Sequence, residues 1–123
     1  AGVTLSPGQD TLSFTEMNLE PFGVPVRFHK ADIRDAQWNG GPISVYVDDV
    51  SKLPRLFYHS LVTFGPSWIP GQTVVVFMDY HIWKVSGVPG HRCQMEFVAA
   101  HGDCQRAEAE SSGRTVVEPL PAR

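Results

Sequence analysis

Apolar residues along this chain recur mostly at every second position, in short runs broken by Gly and Pro. FGVPVRFH (22–29) sets Val24, Val26 and Phe28 on one face. Pro25 removes a ladder donor there, so the run predicts an edge strand. PISVYVDDV (42–50) alternates Ile43, Val45 and Val47 against Ser44, Tyr46 and Asp48, and predicts a second strand. TVVVFMDYHIWKV (73–85) is apolar on both faces, as in a strand through the middle of a sheet. HRCQMEFVA (91–99) puts His91, Cys93, Met95, Phe97 and Ala99 on one side and Arg92, Gln94 and Glu96 on the other. That pattern predicts a half-buried strand in a hairpin with 73–85. RTVVEPL (114–120) predicts a last strand, closed by Pro119 and Pro121.

Helical signals are shorter. KADIRDAQW (30–38) fits a short helix with Ile33 and Ala36 inward, stopped by Asn39-Gly40-Gly41. DCQRAEAESSG (103–113) fits another, with Asp103 as the cap. PRLFYHSLVTF (54–64) fits either period: Leu53, Leu56, Phe57, Ser60 and Leu61 as a helix, or Phe57, His59, Leu61 and Thr63 as a strand. Val62-Thr63 and the breaker Gly65-Pro66 tilt it toward a strand. The sum is a mainly β chain, a single antiparallel β-sandwich or barrel with one or two short helices; the alternative is α+β. The whole of 1–123 reads as one domain, with 1–13 as an N-terminal arm turning at Pro7-Gly8 and 119–123 as a C-terminal tail.

Composition supports a packed core. The chain has 123 residues, 42% hydrophobic and 19% charged, with 21 Gly plus Pro. Such a length buries roughly 65% of the unfolded surface without disulfide or metal staples. Net charge is −3 with only 10 Lys plus Arg, so the basic footprint of a nucleic-acid binder is missing. The longest apolar run, Val74 to Met78, falls far short of the ~20 residues of a membrane span.

Three constellations carry candidate chemistry. HRCQMEFVAAHGDC (91–104) offers four zinc ligands, His91, Cys93, His101 and Cys104, although the spacing differs from paired Cys-x-x-Cys sites. Its two cysteines also suit a disulfide in an oxidising compartment, worth roughly 2–3 kcal/mol for so short a loop. Cys93 with His59 or His81, and Asp79 to orient the base, has the residue types of a cysteine-dependent hydrolase or transferase. Trp38 (QWNGGP) and Trp68 (GPSWIPG) are flanked by turn residues, the setting of contact aromatics for a protein or carbohydrate partner. A Trp folded back over the end of a sandwich would read the same way. Trp83 reads as core. The acidic pair Asp48-Asp49 lacks calcium-loop spacing and reads as charge at a strand end.

No phosphate loop, dinucleotide fingerprint or nucleophile elbow is present. The leading expectation is a non-catalytic binding or assembly module presenting Trp38 and Trp68, with homo-oligomerisation through an edge strand. The cysteine enzyme and the zinc-stabilised domain are its alternatives.

Overall fold

The structure, a computed structural model, describes Thr4, residues 6–101 and the backbone of two further strands, 104–109 and 114–119. The tail beyond 119 lies outside the described residues. The chain divides into two compact units, Ala1–Asp32 and Ile33–Arg123.

The first unit is built on helix α1 (Leu12–Leu19). Asp10 starts it: its Oδ1 accepts the Leu12 N–H at 2.9 Å, and its other oxygen pairs with the Lys30 ammonium. The helix passes into a 3-10 turn, Glu20–Phe22, and closes on Gly23 at φ 61°, a left-handed geometry that costs glycine nothing. Residues 24–30 follow without strand pairing. The edge strand predicted for 22–29 is therefore not formed. Alternation alone makes no strand: Val24 and Val26 stay 64% and 45% exposed, with no described neighbour in a ladder. The helix predicted over 30–38 shrinks to a single 3-10 turn, Ile33–Asp35.

The second unit holds one sheet. Strands β1 (Val45–Asp48), β2 (Val74–Phe77), β3 (Cys104–Ala109) and β4 (Arg114–Pro119) lie in the order β1-β2-β4-β3. β1 and β2 run parallel, Val45 beside Val74 through Asp48 beside Phe77, while β4 is antiparallel to both of its neighbours. Parallel strands need a crossover, and helix α2 (Pro54–Phe64) supplies it. Pro54 takes a first-turn position, where its missing N–H costs nothing, and Leu53 before it is extended. The stretch 54–64 is thus a helix, not the strand toward which its β-branched end tilts. Its inward side carries Phe57 and Ser60, both buried.

A second helix, α3 (Cys93–Ala100), replaces the strand predicted over 91–99, so the hairpin with 73–85 does not exist. Cys93, Gln94 and Val98 are buried and Phe97 is half-buried, a stripe one helical turn apart. The long strand predicted over 73–85 ends at Phe77; a turn and the 3-10 segment Ile82–Lys84 follow, leaving Trp83 half-buried. Residues 104–109, inside the predicted helix 103–113, form β3 instead. Pairing along the whole of β4 overrides the Ala and Glu helix preference there. The last predicted strand is present as β4.

The mainly β sandwich or barrel is overturned by these elements. Helices and a mixed sheet share the chain, and β1 and β2 are parallel. The core lies where α2 and α3 cover one sheet face. Phe57 of α2, Phe77 of β2 and Phe97 of α3 meet edge-on, with centroids 5.5, 5.6 and 6.3 Å apart. Val75, Tyr80, Cys93 and Val98 complete the core. Thr73, fully buried, fixes the entry to β2: its hydroxyl accepts the Ile69 N–H and donates to the Ile43 carbonyl, each at 2.6 Å. One side chain thereby ties the approach to β1 to the approach to β2.

Candidate functional site

Two arrangements gather the residues singled out by chemistry. The first is a row of four aromatic rings. Trp38 stands 6.2 Å from Phe64, Phe64 5.5 Å from Tyr46, and Tyr46 5.3 Å from Trp68, centroid to centroid. Trp38 and Trp68 are therefore the two ends of one row rather than separate loop tips. They differ in setting. Trp68 is half-buried, bridged at its backbone to Ile43, and its indole N–H is buried with no partner among the described residues. Trp38 is 43% exposed and yet held in place. Its indole N–H donates to the Gly41 carbonyl at 3.2 Å. Its ring lies so close to Gly40 that a Cβ there would sit 2.4 Å from the indole. The Asn-Gly-Gly that reads as a helix stop is thus a seat for the tryptophan.

The second arrangement lies where the parallel strands end. Asp48, the last residue of β1, is 3% exposed. Its Oδ1 accepts the N–H groups of Val50 (3.2 Å) and Ser51 (2.8 Å), and its Oδ2 accepts the Tyr46 hydroxyl at 3.3 Å. Ser51 and Ser60 share a hydrogen bond between hydroxyls at 2.9 Å. The Gln94 amide donates to the Ser51 carbonyl at 3.2 Å, tying α3 to the loop after β1. Burial first, and the Asp48 charge second, push the Tyr46 hydroxyl far above the usual tyrosine range. The sequence reading placed Asp48-Asp49 as charge at a strand end, where Asp48 is found, but missed this network. The signal was an Asp three residues before a Ser at a strand end, the pattern of an Asx turn.

Lys52 links the thiol to the carboxylate proposed beside it. Its carbonyl accepts the Cys93 S–H at 3.6 Å, and its ammonium pairs with Asp79 at 3.0 Å. Cys93 opens α3, a position that ordinarily favours the thiolate. Here burial dominates and raises the thiol above its usual range, with smaller opposing hydrogen bonds from the backbone and further raising by Glu96 and Asp48. The thiol is 2% exposed and donates to a carbonyl, not to a histidine ring. His59 sits on α2 with its Nε2 3.5 Å from the Thr63 hydroxyl, and His81 lies against Tyr80, rings 5.0 Å apart. Burial here works against the thiolate that nucleophilic chemistry needs.

Three of the four candidate zinc ligands, His91, Cys93 and His101, lie among the described residues. His91 lies in the 3-10 turn Pro89–Arg92, Cys93 begins α3 and His101 follows its end. The His101 Nδ1–H donates to the Phe97 carbonyl at 2.7 Å, which leaves Nε2 as its free ring nitrogen. Among the described residues no three His, Cys, Asp or Glu side chains come together as a metal group. The Cys104 side chain lies outside the described residues. Cys93 is a free, buried thiol, so of the two readings of the cysteines, a disulfide or unlinked thiols, the unlinked one describes it. Among the described residues no helix is long and apolar enough to cross a membrane. No protein-family model matches this chain, and no curated protein or solved structure matches it either.

Proposed function

We propose that this chain is a non-catalytic binding or assembly module whose principal contact residue is Trp38. The observation that carries the reading is the coexistence of exposure and restraint at that side chain. An indole fixed by the Gly41 carbonyl and the bare Gly40 backbone, with 43% of its surface open, loses little side-chain entropy on contact. Tryptophan is also the residue type most enriched where few contacts carry most of the binding energy. Phe64, Tyr46 and Trp68 back the ring, and Trp68 serves as support more than as contact. The partner class is a protein or a carbohydrate, since both bind on flat aromatic faces. The cysteine-enzyme reading draws on the approach of Cys93 and Asp79 to Lys52, but the enclosed, protonated thiol gives it less support.

The test is a selection of ligands for the full chain from a random peptide display library and from a glycan array. Each ligand is then titrated against wild type, Trp38→Phe and Trp38→Ala. Trp38→Ala is expected to weaken binding by a factor of ten or more, about 1.4 kcal/mol, and Trp38→Phe by less. Ligands held equally well by all three proteins would remove Trp38 from the contact.

A further inference from the structure

β1 is an edge of the sheet, with no strand paired to its outer side among the described residues. The Val74 N–H donates to the Ser44 carbonyl and the Met78 N–H to the Asp48 carbonyl, each within 3.0 Å. In a parallel ladder this alternation commits Ser44, Tyr46 and Asp48 to β2 and turns the N–H and C=O groups of Val45 and Val47 outward. Those four groups have no partner among the described residues. The side chains of Val45 and Val47 are 60% and 56% exposed, on the sheet face away from Phe57 and Phe97. Of the devices that guard an edge, β1 has only its shortness and the inward charge of Asp48 at its end; Val45, Tyr46 and Val47 include no proline and no lysine.

We infer that the β1 edge pairs with the β1 edge of a second copy of this chain, antiparallel about a two-fold axis through Tyr46. The edge is its own complement in that register. Val45 of one copy faces Val47 of the other, and the outward donors and acceptors of both pair as four hydrogen bonds. The valines come together on the open face, where Val74 and Val76 extend the apolar surface in register. The charges agree with the antiparallel direction. Asp48 and Asp49 of one copy fall opposite Ser44 and Ile43 of the other, whereas a parallel pairing would set Asp48 against Asp48. Four residues per edge bury much less than the ~800 Å² per partner of a tight interface, so the dimer is weak and depends on concentration. The inference rests on the assembly side of the reading above, but on a surface other than Trp38.

The test is sedimentation of the full chain from about 20 µM to about 1 mM, the range that suits a contact this small, with residue-resolved amide exchange at both ends. The expected result is a mass rising toward the dimer, with exchange at Val45 and Val47 slowed at least tenfold at the higher concentration. Tyr46 and Asp48 are expected to be protected at both. Val47→Lys and Val47→Pro should abolish the rise; the lysine adds a charge to the exposed face, and the proline removes only an outward N–H. Val62→Lys, on the exposed side of α2, should leave it intact. A monomer at every concentration, or a dimer in which Val45 and Val47 exchange as fast as before, overturns the inference. Trp38→Ala separates the two readings: it should remove selected ligands while leaving the dimer, and Val47→Lys should do the reverse.

Discussion

At the scale of single residues, burial sets the chemistry of Cys93, whose thiol also donates to the half-buried Lys52 carbonyl. In the unfolded chain the thiol ionises near its ordinary value of 9.0, while in the folded chain burial holds it protonated beyond that. Its stability contribution is therefore full well below pH 9 and falls as pH rises through 9, with a slope that approaches about 1.4 kcal/mol per pH unit only where the unfolded thiol is ionised and the folded one is not. Tyr46, raised for the same reason from 10.0, adds its own loss only above pH 10. Denaturant melts of wild type and Cys93→Ser between pH 7 and 10.5 check this: the serine variant should lack the slope between 9 and 10 and keep the one above. Peptide-mapped alkylation at pH 7 should label Cys93 only after denaturation. Thr73 makes a different residue-scale claim. Thr73→Val keeps the shape but leaves the Ile69 N–H and the Ile43 carbonyl without the hydroxyl, at a cost of about 1–3 kcal/mol in a urea melt. The inward position of Cys93 was legible in its alternation with Met95 and Phe97, but the Thr73 tie was not, because a threonine hydroxyl looks alike in sequence whether buried or exposed.

At the scale of elements, legibility followed how many periods a stretch of sequence satisfies. The central four residues of 42–50 and most of 114–120 satisfy only a period of two, and β1 and β4 form there. HRCQMEFVA satisfies both periods. Read by alternation it puts Gln94 outside and Met95 inside. In α3 Gln94 is buried and Met95 is only half-buried, because tertiary packing selected the stripe Cys93, Gln94, Phe97 and Val98. Ala99-Ala100 and the absence of Gly or Pro over 91–101 were local signs of a helix. TVVVFMDYHIWKV keeps its predicted strand only over Val74–Phe77; a turn follows from Met78, and Asp79 within it pairs with Lys52. The ring contacts then make α2 and α3 interdependent. Phe57→Ala empties the centre of the three-ring cluster and should cost about 3–5 kcal/mol in a denaturant melt. Val62→Ala, on the same helix but 76% exposed, should stay within about 0.5 kcal/mol of wild type.

At the scale of the whole molecule, every residue of the buried core belongs to the second unit. Phe57, Val75, Phe77, Tyr80, Cys93 and Val98 all lie beyond Asp32, whereas no described residue before Ile33 is buried. Even regular spacing of short apolar runs could not reveal this, since Met17, Phe22, Val24 and Val26 are as hydrophobic as core residues and are nonetheless exposed. Hydrophobicity states what a residue gains by burial, not whether the fold supplies a surface to bury it. A 32-residue unit is below the size of about 40 residues at which a chain sustains its own core without staples. Its described anchors are the exposed Asp10–Lys30 ion pair and the turn at Gly23, and exposed pairs contribute little. A peptide of residues 1–32 is therefore expected to show little helix by circular dichroism. The chain lacking those residues should keep a cooperative melt, with a denaturant midpoint close to that of the full chain, because its apolar cluster and the Thr73 tie are intact. A large loss of cooperativity on removing 1–32 would overturn this expectation.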